Sequence, residues 1–385
     1  MKIFDEFFKR NFSPHRPLPA GIYHSHSSAH AKVPYRLHLR IEPSGEGVLI
    51  LNAKTVLHLN RTATEYAYHL IKKTSEKEAI GSITERYNVS MEQVGQDYHE
   101  FIGRLNSLVK TIDLDPVTYL DFERVTPYSK KLFAPYRLDC ALTYRVFSES
   151  LKTAPLERVQ RELTTNEWKI ILQKAWQAGI PHVIFTGGEP TQREDLPEII
   201  TEAEKLGQVS GLLSDGIKLI EKNYRTTLLQ TGLDHMMLLL DDKDEQSWRA
   251  LEKIMAEDIF ITVHLTINEK NLNTIEPVID RLAKMGLKSL SLTIANKKLL
   301  PTLKRLQDKA ALLQLSLVWD IPVPYSNFHP IALEMQEMND KLIDGAGKAW
   351  LYVEPDGDVL PEQGINKVMG NLLTDEWESI WNKFN

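Results

Sequence analysis

The segment TGGEP at residues 186–190 offers backbone carbonyls and one carboxylate, which suit a cationic ligand. It follows an apolar run at residues 183–185, which is typical of the end of a buried strand. Two consecutive glycines let a backbone approach a ligand where a Cβ atom would collide. Free backbone carbonyls and the Glu189 carboxylate together suit an ammonium group. We therefore predict ligand contacts at Gly187, Gly188 and Glu189.

Polar residues also follow three other apolar runs. Ser214 and Asp215 end one run, Asp241 ends the next, and Asn268 ends a third. In barrel-like parallel sheets, the loops at the carboxyl ends of the strands form the active site. Ser214 and Asp241 are therefore further candidates for cofactor binding, with Asp241 either reaching a ribose hydroxyl or capping a helix. The extra negative charge of Asp215 disfavours a ligand carboxylate nearby.

The cysteine and histidine patterns favour no catalytic residue and no metal site. Cys140 is the single cysteine, so the chain can form neither an internal disulfide nor an iron–sulfur cluster with ordinary cysteine ligation. No histidine is placed in the sequence to activate Cys140, so we expect a buried thiol. His24, His26 and His30 lack an evident fourth ligand, so we predict no metal there.

Bulk composition excludes several classes of function. The 385 residues suggest two or three domains, and the net charge of −6 comes without a basic run suited to nucleic acid. The apolar stretches are only strand-length, which argues against a membrane span. The first residues, MKIFDEFFKRNF, lack the long apolar core of a secretory signal. We expect a cytoplasmic protein that binds neither nucleic acid nor membrane.

Strand-like and helical patterns alternate from residue 134 to residue 325. Apolar runs at 182–185, 209–213, 234–240, 259–267 and 287–294 are each followed by an amphipathic stretch. Thr164 and Glu167 predict a capping box at the start of one helix, and Gly207 predicts the end of the next. Near-continuous apolar strands alternating with helices indicate an α/β fold with a parallel sheet.

The sequence APYRLDCALTYRVF at residues 134–147, together with TGGEP, resembles the start of a radical S-adenosylmethionine (SAM) enzyme. That family carries a CxxxCxxC loop for a [4Fe–4S] cluster. Here Cys140, Tyr144 and Phe147 match its three positions, and Val146 stands where an adenine-contacting aromatic is typical. The resemblance implies an incomplete (β/α)6 barrel over residues 134–325. It also implies SAM contacts at Gly187, Gly188, Glu189 and Ser214.

Residues 326–385 resemble the SPASM extension of the same enzymes. The phrases DGAGKAWLYVEPDGDVLPEQ, GN and WESIW carry the likeness, with Asp344 and Glu362 at two cysteine positions. Pro-Asp-Gly at 355–357 is a strong turn signal between two short strands. We therefore predict a small β-hairpin extension without cluster ligands.

The module at residues 33–115 resembles the PqqD-like element that recognises precursor peptides. Three short strands, ending at residues 55–59, precede three helices, and the phrase LHLNRTATEYAYHLI joins the two groups. The resemblance implies that a peptide adds as a strand to the sheet edge and lies against the third helix. We predict its contacts at Thr55, Leu57, Leu59, Tyr98 and Phe101. A winged-helix module that binds DNA or only caps a dimer is the alternative. Residues 1–32 are interpreted as a solvated leader and 116–133 as a linker.

Three functional hypotheses follow. The first is a radical-SAM-like pseudoenzyme that recognises a ribosomally made precursor peptide and serves as escort or adaptor for an active modifying enzyme. The second is a non-radical enzyme in the vacated barrel, binding SAM or another nucleotide. The third is a radical enzyme whose missing cysteines come from a partner. We favour the first, with no cofactor expected and SAM binding without a cluster left open.

Overall fold

The computed structural model describes residues 18–27, 33, 35–52, 55–87, 89–111, 132, 134–145, 159, 161–317, 346–363, 365 and 367–383. The chain divides into two compact units, Met1–Phe133 and Ala134–Asn385. None of the described helices is long and apolar enough to cross a bilayer.

The sheet of the first unit is antiparallel. Its strands are β1 (Gly21–His26), β2 (Arg36–Ile41), β3 (Gly47–Leu51) and β4 (Thr55–Leu59), in the order β1-β2-β3-β4. The strand β1 corrects the prediction that residues 1–32 are a solvated leader, because residues 21–26 pair with β2. Ile22 is buried and Tyr23 packs on the core. The strand was not predicted because the residues that follow them are two histidines and a serine.

Three helices cover this sheet: α1 (Arg61–Ile71), α2 (Glu76–Tyr87) and α3 (Met91–Lys110). Asn60 begins α1 by accepting a hydrogen bond from the backbone N–H of Ala63 at 2.9 Å, and Ser90 begins α3 in the same way. The apolar stripe of α3 is buried against the strands and consists of Val94, Tyr98, Phe101, Leu105 and Leu108. The two N-caps and the helical stripe follow directly from the sequence pattern.

The second unit contains a parallel sheet whose strands pair in sequence order. The strands are β5 (Arg137–Thr143), β6 (His182–Gly187), β7 (Val209–Ser214), β8 (His235–Leu239), β9 (Phe260–Ile267), β10 (Ser289–Ile294) and β11 (Ser316–Leu317). The helices between them are α4 (Thr165–Gln177), α5 (Leu196–Leu206), α6 (Lys222–Leu229), α7 (Glu245–Met255), α8 (Ile275–Lys284) and α9 (Leu300–Leu312). Short 3₁₀ helices occupy Pro190–Gln192, Ile217–Ile220 and Lys297–Leu299. The predicted α/β class is confirmed.

Local signals set the helix ends of this unit. The capping box at α4 forms as predicted, with the Thr164 hydroxyl and the Glu167 carboxylate each bonded to the other's backbone N–H. Gly207 ends α5 with φ of 86°, in the left-handed region that favours glycine. Trp168 of α4 is fully buried, so the helix packs its apolar side inward.

The two faces of the parallel sheet differ in what they pack against. Leu238 of β8 lies with Ala250 and Ile254 of α7 around Gly216, so this face meets the helices. The residues that alternate with Leu238 form the opposite face, called the inner face below. There Ile184, Leu213 and Met237 make a separate apolar cluster. The inner face is thus a second, smaller packing surface.

A C-terminal segment extends the sheet beyond β5. Strands β12 (Trp350–Val353), β13 (Asp358–Leu360) and β14 (Gly370–Asn371) precede α10 (Trp377–Trp381). β12 pairs in parallel with β5 and antiparallel with β13, which gives a sheet of 10 strands. Gly357, with φ of 94°, closes the turn by donating its N–H to the Glu354 carbonyl at 2.9 Å. Glu362 is buried, and Asp344 lies outside the described residues.

Candidate functional site

The two glycines of TGGEP lie against the backbone that ends β5. A Cβ atom on Gly187 would stand 2.1 Å from the Thr143 carbonyl oxygen, and one on Gly188 would stand 2.3 Å from that of Arg145. The N–H groups of Gly188 and Glu189 donate to these two carbonyls, each at 2.7 Å. The two glycines therefore allow the predicted close approach, but the group that they approach is the chain's own backbone and not a ligand.

Glu189 is buried, and both oxygens of its carboxylate accept hydrogen bonds. Oε1 accepts from the Thr191 N–H at 3.0 Å, the Thr191 hydroxyl at 2.6 Å and the Ser214 hydroxyl at 2.9 Å. Oε2 accepts from the backbone N–H of Asp215 at 2.9 Å. Glu189 thus ties the end of β6 to the loop after β7, and it brings the predicted residue Ser214 into the same group.

The buried Glu189 and the half-buried Asp215 are neighbouring carboxyl residues, called the carboxyl pair below. Burial, reinforced by the nearby charge of Asp215, raises the pKa of Glu189 to about 8, against the opposing effect of its hydrogen bonds. Burial also raises the pKa of Asp215. Two carboxyl groups so close cannot both ionise readily. Burial and the neighbouring charge thus favour the protonated form of Glu189, whereas a cationic group beside the pair would favour the ionised form.

Lys218 and Tyr224 flank the carboxyl pair. Lys218 donates from Nζ to the Thr191 carbonyl at 2.7 Å, and this nitrogen lies 4.4 Å from the centroid of the Tyr224 ring. Burial, and then the charge of Glu189, raises the pKa of Tyr224. Within the described structure, the Tyr224 hydroxyl is buried without a hydrogen-bond partner. These residues were missed because neither the 3₁₀ helix at Ile217–Ile220, which contains Lys218, nor α6, which contains Tyr224, gives a sequence signal for a site.

Asp241 makes its hydrogen bonds to the loop after β8 and to the first turn of α7. Its Oδ1 accepts from the Lys243 N–H at 3.0 Å, and its own N–H donates to the Ser247 hydroxyl at 3.1 Å. Asp241 is exposed at the end of β8. Asp241 therefore stabilises a turn and does not cap the helix, because the N-cap of α7 is Asp244, which accepts from the Gln246 N–H at 2.9 Å.

Cys140 lies inside β5 and is fully buried. The strand register places it beside Phe185 of β6 and Val353 of β12. Burial raises the pKa of its thiol well above the ordinary value. The resemblance matches Cys140 to the first cluster-ligand position, and the structure places this residue inside β5 and not in the segment that follows the strand. The expected buried thiol is what the structure contains.

Tyr144 is the first residue after β5 and packs into a small core. Its hydroxyl donates to Oε1 of Glu354 at 2.9 Å and lies 3.3 Å from the Tyr352 hydroxyl. Ala141 and Leu360 complete the surrounding cluster. The other two residues singled out in this loop, Val146 and Phe147, lie outside the described residues.

In the first unit a groove of about 350 Å³ lies between the end of β4, the start of α1 and the middle of α3. Its lining residues are His58, Leu59, Asn60, Thr62, Ala63, Tyr66, Asp97, Glu100, Phe101 and Arg104. Leu59 and Phe101 were predicted peptide contacts and line it. The other three, Thr55, Leu57 and Tyr98, do not line it, and Leu57 and Tyr98 are core residues.

The groove has an apolar floor and a charged rim. Tyr66 and Phe101 form the floor, with ring centroids 5.8 Å apart. On the rim, Asp97 accepts from Gln93 at 2.7 Å, and Arg104 pairs with Glu100 at 2.5 Å. Burial, followed by the Asp97 charge, raises the pKa of Tyr66. Such a groove suits an amphipathic peptide side chain.

Comparison with known proteins gives relatives in sequence and in fold. The chain is 27% identical over 232 residues to the PqqA peptide cyclase of Streptomyces rochei, which covers 54% of this chain and 63% of the relative. It is 26% identical over 247 residues to the PqqA peptide cyclase of Bradyrhizobium diazoefficiens, which covers 56% of this chain and 62% of the relative. The chain thus spans less than two thirds of the curated relatives that it matches. No family model matches it.

Solved structures with a similar fold include SuiB of Streptococcus suis. SuiB bound to its precursor peptide SuiA superimposes with a TM-score of 0.57 at 13% identity, covering 95% of this chain and 88% of that one. SuiB bound to S-adenosylmethionine gives 0.55 at 14% identity, covering 93% and 88%. At this identity the likeness shows the fold alone. With the sequence relatives, it supports the resemblance to radical SAM peptide-modifying enzymes.

Proposed function

We propose that the protein is a radical-SAM-like adaptor that recognises a ribosomally made precursor peptide through its first unit. The observation that carries this proposal is the groove between β4 and α3. Its floor of Tyr66 and Phe101 would receive an apolar side chain, and its charged rim would orient the flanking residues.

The position of β4 supports strand addition. Among the described strands, β4 pairs with β3 only, so it lies at the edge of its sheet. A peptide pairing along that edge would gain main-chain hydrogen bonds worth about 0.5–1.5 kcal/mol each. An apolar side chain buried in the groove would add about 1.5–3 kcal/mol. After the cost of ordering the peptide, micromolar affinity or better is expected.

The comparisons agree with a peptide ligand. SuiB has been solved with its precursor peptide, and the sequence relatives are named for a peptide substrate. Thr55, Leu57, Leu59, Tyr98 and Phe101 remain the proposed peptide-contacting strand and helix positions, with Leu57 and Tyr98 acting through the core that they fill. We assign an active modifying enzyme as the second partner.

The proposal includes the absence of a [4Fe–4S] cluster. Cys140 is buried within β5, and the hydroxyl of Tyr144, which the resemblance matches to the second ligand position, is bonded to Glu354. A tyrosine in a packed core does not replace a cluster thiolate. A partner that supplied cysteines would have to displace this core, which disfavours the third hypothesis.

A non-radical enzyme that binds SAM or another nucleotide is the second candidate. The carboxyl pair of Glu189 and Asp215 favours it, because an ammonium group beside the pair would be stabilised electrostatically. Against it, both carboxylate oxygens of Glu189 already accept hydrogen bonds from other groups of the chain. SAM binding at Gly187, Gly188, Glu189, Ser214 and Asp241 therefore belongs to this second candidate.

Calorimetry with the full chain and precursor-type peptides encoded next to its gene tests the adaptor proposal. Ala63→Trp would fill the groove beside α1, so we expect peptide binding to weaken at least about tenfold. A second comparison uses two carboxylates of α3. Glu100→Ala removes one on the rim of the groove, and Glu92→Ala, the control, removes one outside the groove. If no such peptide binds, or if Ala63→Trp binds as tightly as the natural chain, the proposal is wrong.

A further inference from the structure

The groove of the first unit contains a carboxylate that has only uncharged partners. Asp97 of α3 lines this groove and is half-buried. Its Oδ1 accepts a hydrogen bond from the Gln93 amide at 2.7 Å, and the Tyr66 hydroxyl is a second uncharged donor to this carboxylate. Within the described residues, no lysine or arginine pairs with Asp97. Its negative charge is therefore available to a cationic group of a ligand.

The basic side chains nearby do not neutralise Asp97. Among the described residues that line the groove, Arg104 is the only lysine or arginine, and it pairs with Glu100 at 2.5 Å. Arg61 begins α1, but its side chain lies over the turn between β2 and β3, where a Cβ atom on Gly45 would stand 3.5 Å from it. The charges of Glu100 and Arg104 offset each other. Asp97 therefore gives the groove an excess of negative charge.

The aromatic floor of the groove lies beside this carboxylate. Asp97 precedes Phe101 by one turn of α3, so the two side chains are neighbours on the same side of the helix. Tyr66 joins them, because its ring packs against Phe101 and its hydroxyl bonds to Asp97. Lysine and arginine combine an aliphatic stem, which covers apolar surface, with a cationic end. The faces of aromatic rings also attract a cation. The surroundings of Asp97 therefore suit a basic side chain.

A peptide strand added along β4 would present more than one side chain to the groove. In an extended strand, alternate residues point to the same face and are about 7 Å apart. One such side chain can pack on the rings of Tyr66 and Phe101, as proposed above. The next one on that face can then place a charged end against Asp97. The two preferences, for an apolar residue and for a basic residue, are therefore compatible at a spacing of two positions.

The same charges select against acidic peptides. A carboxylate of the peptide placed on this rim would be repelled by Asp97 and by Glu100, both of which line the groove. Arg104 offers little compensation, because it is already paired with Glu100. Specificity arises from repulsion of the wrong partner as well as from attraction of the right one. The groove has both elements.

We propose that the groove selects peptides in which a lysine or arginine stands two positions from an apolar residue, with the basic side chain paired to Asp97. This inference rests on the proposed function of the first unit, and it adds the class of peptide that the groove takes. Asp97 is the residue that determines this specificity. Tyr66 and Phe101 receive the apolar side chain and the stem of the basic one.

Selection of a phage-displayed library of random heptapeptides on the full chain tests this proposal. We expect the enriched sequences to carry lysine or arginine two positions from a large apolar residue. Fluorescence polarisation then measures the affinity of the most enriched peptide in synthetic form. Replacing its basic residue by norleucine keeps an alkyl stem and removes the charge. This change should weaken binding about five- to tenfold at low salt.

Asp97→Asn tests the residue itself, because it removes the charge and keeps an oxygen that accepts from Gln93. It should weaken the basic peptide about five- to tenfold, and it should leave both the norleucine peptide and the melting temperature unchanged. Glu92→Gln, on the same helix outside the groove, is the control and should change neither affinity.

Two results would overturn this inference and leave peptide recognition intact. The first is enrichment of sequences that lack a basic residue, and the second is equal affinity of the Asp97→Asn variant and the natural chain for the basic peptide. If no sequence is enriched at all, the proposed function fails, and this inference fails with it.

Discussion

The Tyr144 hydroxyl donates a 2.9 Å hydrogen bond to the fully buried carboxylate of Glu354. This bond joins the segment after β5 to the turn between β12 and β13. A carboxylate without exposure is stable only when it is hydrogen-bonded. Tyr144 therefore links the segment after β5 to the C-terminal hairpin.

The first prediction tests this role with Tyr144→Phe. Removing the donor from the buried Oε1 of Glu354 should lower the free energy of unfolding by about 1–3 kcal/mol. Urea denaturation of the full chain measures it. Tyr23→Phe is the control, because the Tyr23 hydroxyl makes an exposed bond to the Pro19 carbonyl. Equal, small effects of both variants would show that Tyr144 only fills space.

The second prediction concerns pH and the pair His182–His235. Both residues are fully buried, and their Nε2 atoms are 2.8 Å apart. The His235 ring fits because residue 211 is a glycine, on which a Cβ atom would stand 2.3 Å from the ring. Burial lowers the pKa of His235 to about 3, so the unfolded chain binds a proton that the folded chain does not. The contribution of this pair to stability should fall as pH drops below about 6.5, by up to about 1.4 kcal/mol per unit.

The measurement compares the natural chain with a double variant, His182→Leu and His235→Leu. Urea unfolding at several pH values between 5 and 7 gives the slope for each. The natural chain should lose stability toward pH 5 relative to the double variant. Parallel slopes would show that His235 titrates in the folded protein as it does in water.

The third prediction has the opposite sign and concerns Glu189. Its pKa is raised to about 8, so between about 4.5 and 8 the folded chain holds a proton that the unfolded chain has lost. This group should therefore make stability fall as pH rises through that window. Glu189→Gln cannot titrate and should reduce the slope between pH 7 and 8, above the raised pKa of Glu65 at about 7 and outside the range of the histidine effect. A natural chain with no slope there would mean that Glu189 is ionised throughout.

Much of the fold could be predicted from the sequence, whereas less of the candidate site could. The alternation of strands and helices, the capping box of Thr164 and the Gly207 helix end follow from local patterns. Contacts across the sheet depend on register, which no local pattern encodes. His264 meets Ser291 across 27 residues, and Glu189 turns inward to Ser214 across 25 residues. The strand β1 was missed because its alternating side chains are mostly polar.

The last prediction is that the chain carries no iron–sulfur cluster after anaerobic reconstitution, and that Tyr144→Cys with Phe147→Cys does not restore one. Cys140 is inside β5, so the variant still lacks three thiolates in one loop. Tyr144→Cys also removes the hydroxyl donor from buried Glu354, which should destabilise the hairpin. Iron and sulfide analysis with the visible spectrum measures the outcome. About four iron and four sulfide per chain in either protein, with reductive cleavage of SAM, would contradict the adaptor hypothesis and favour a radical enzyme.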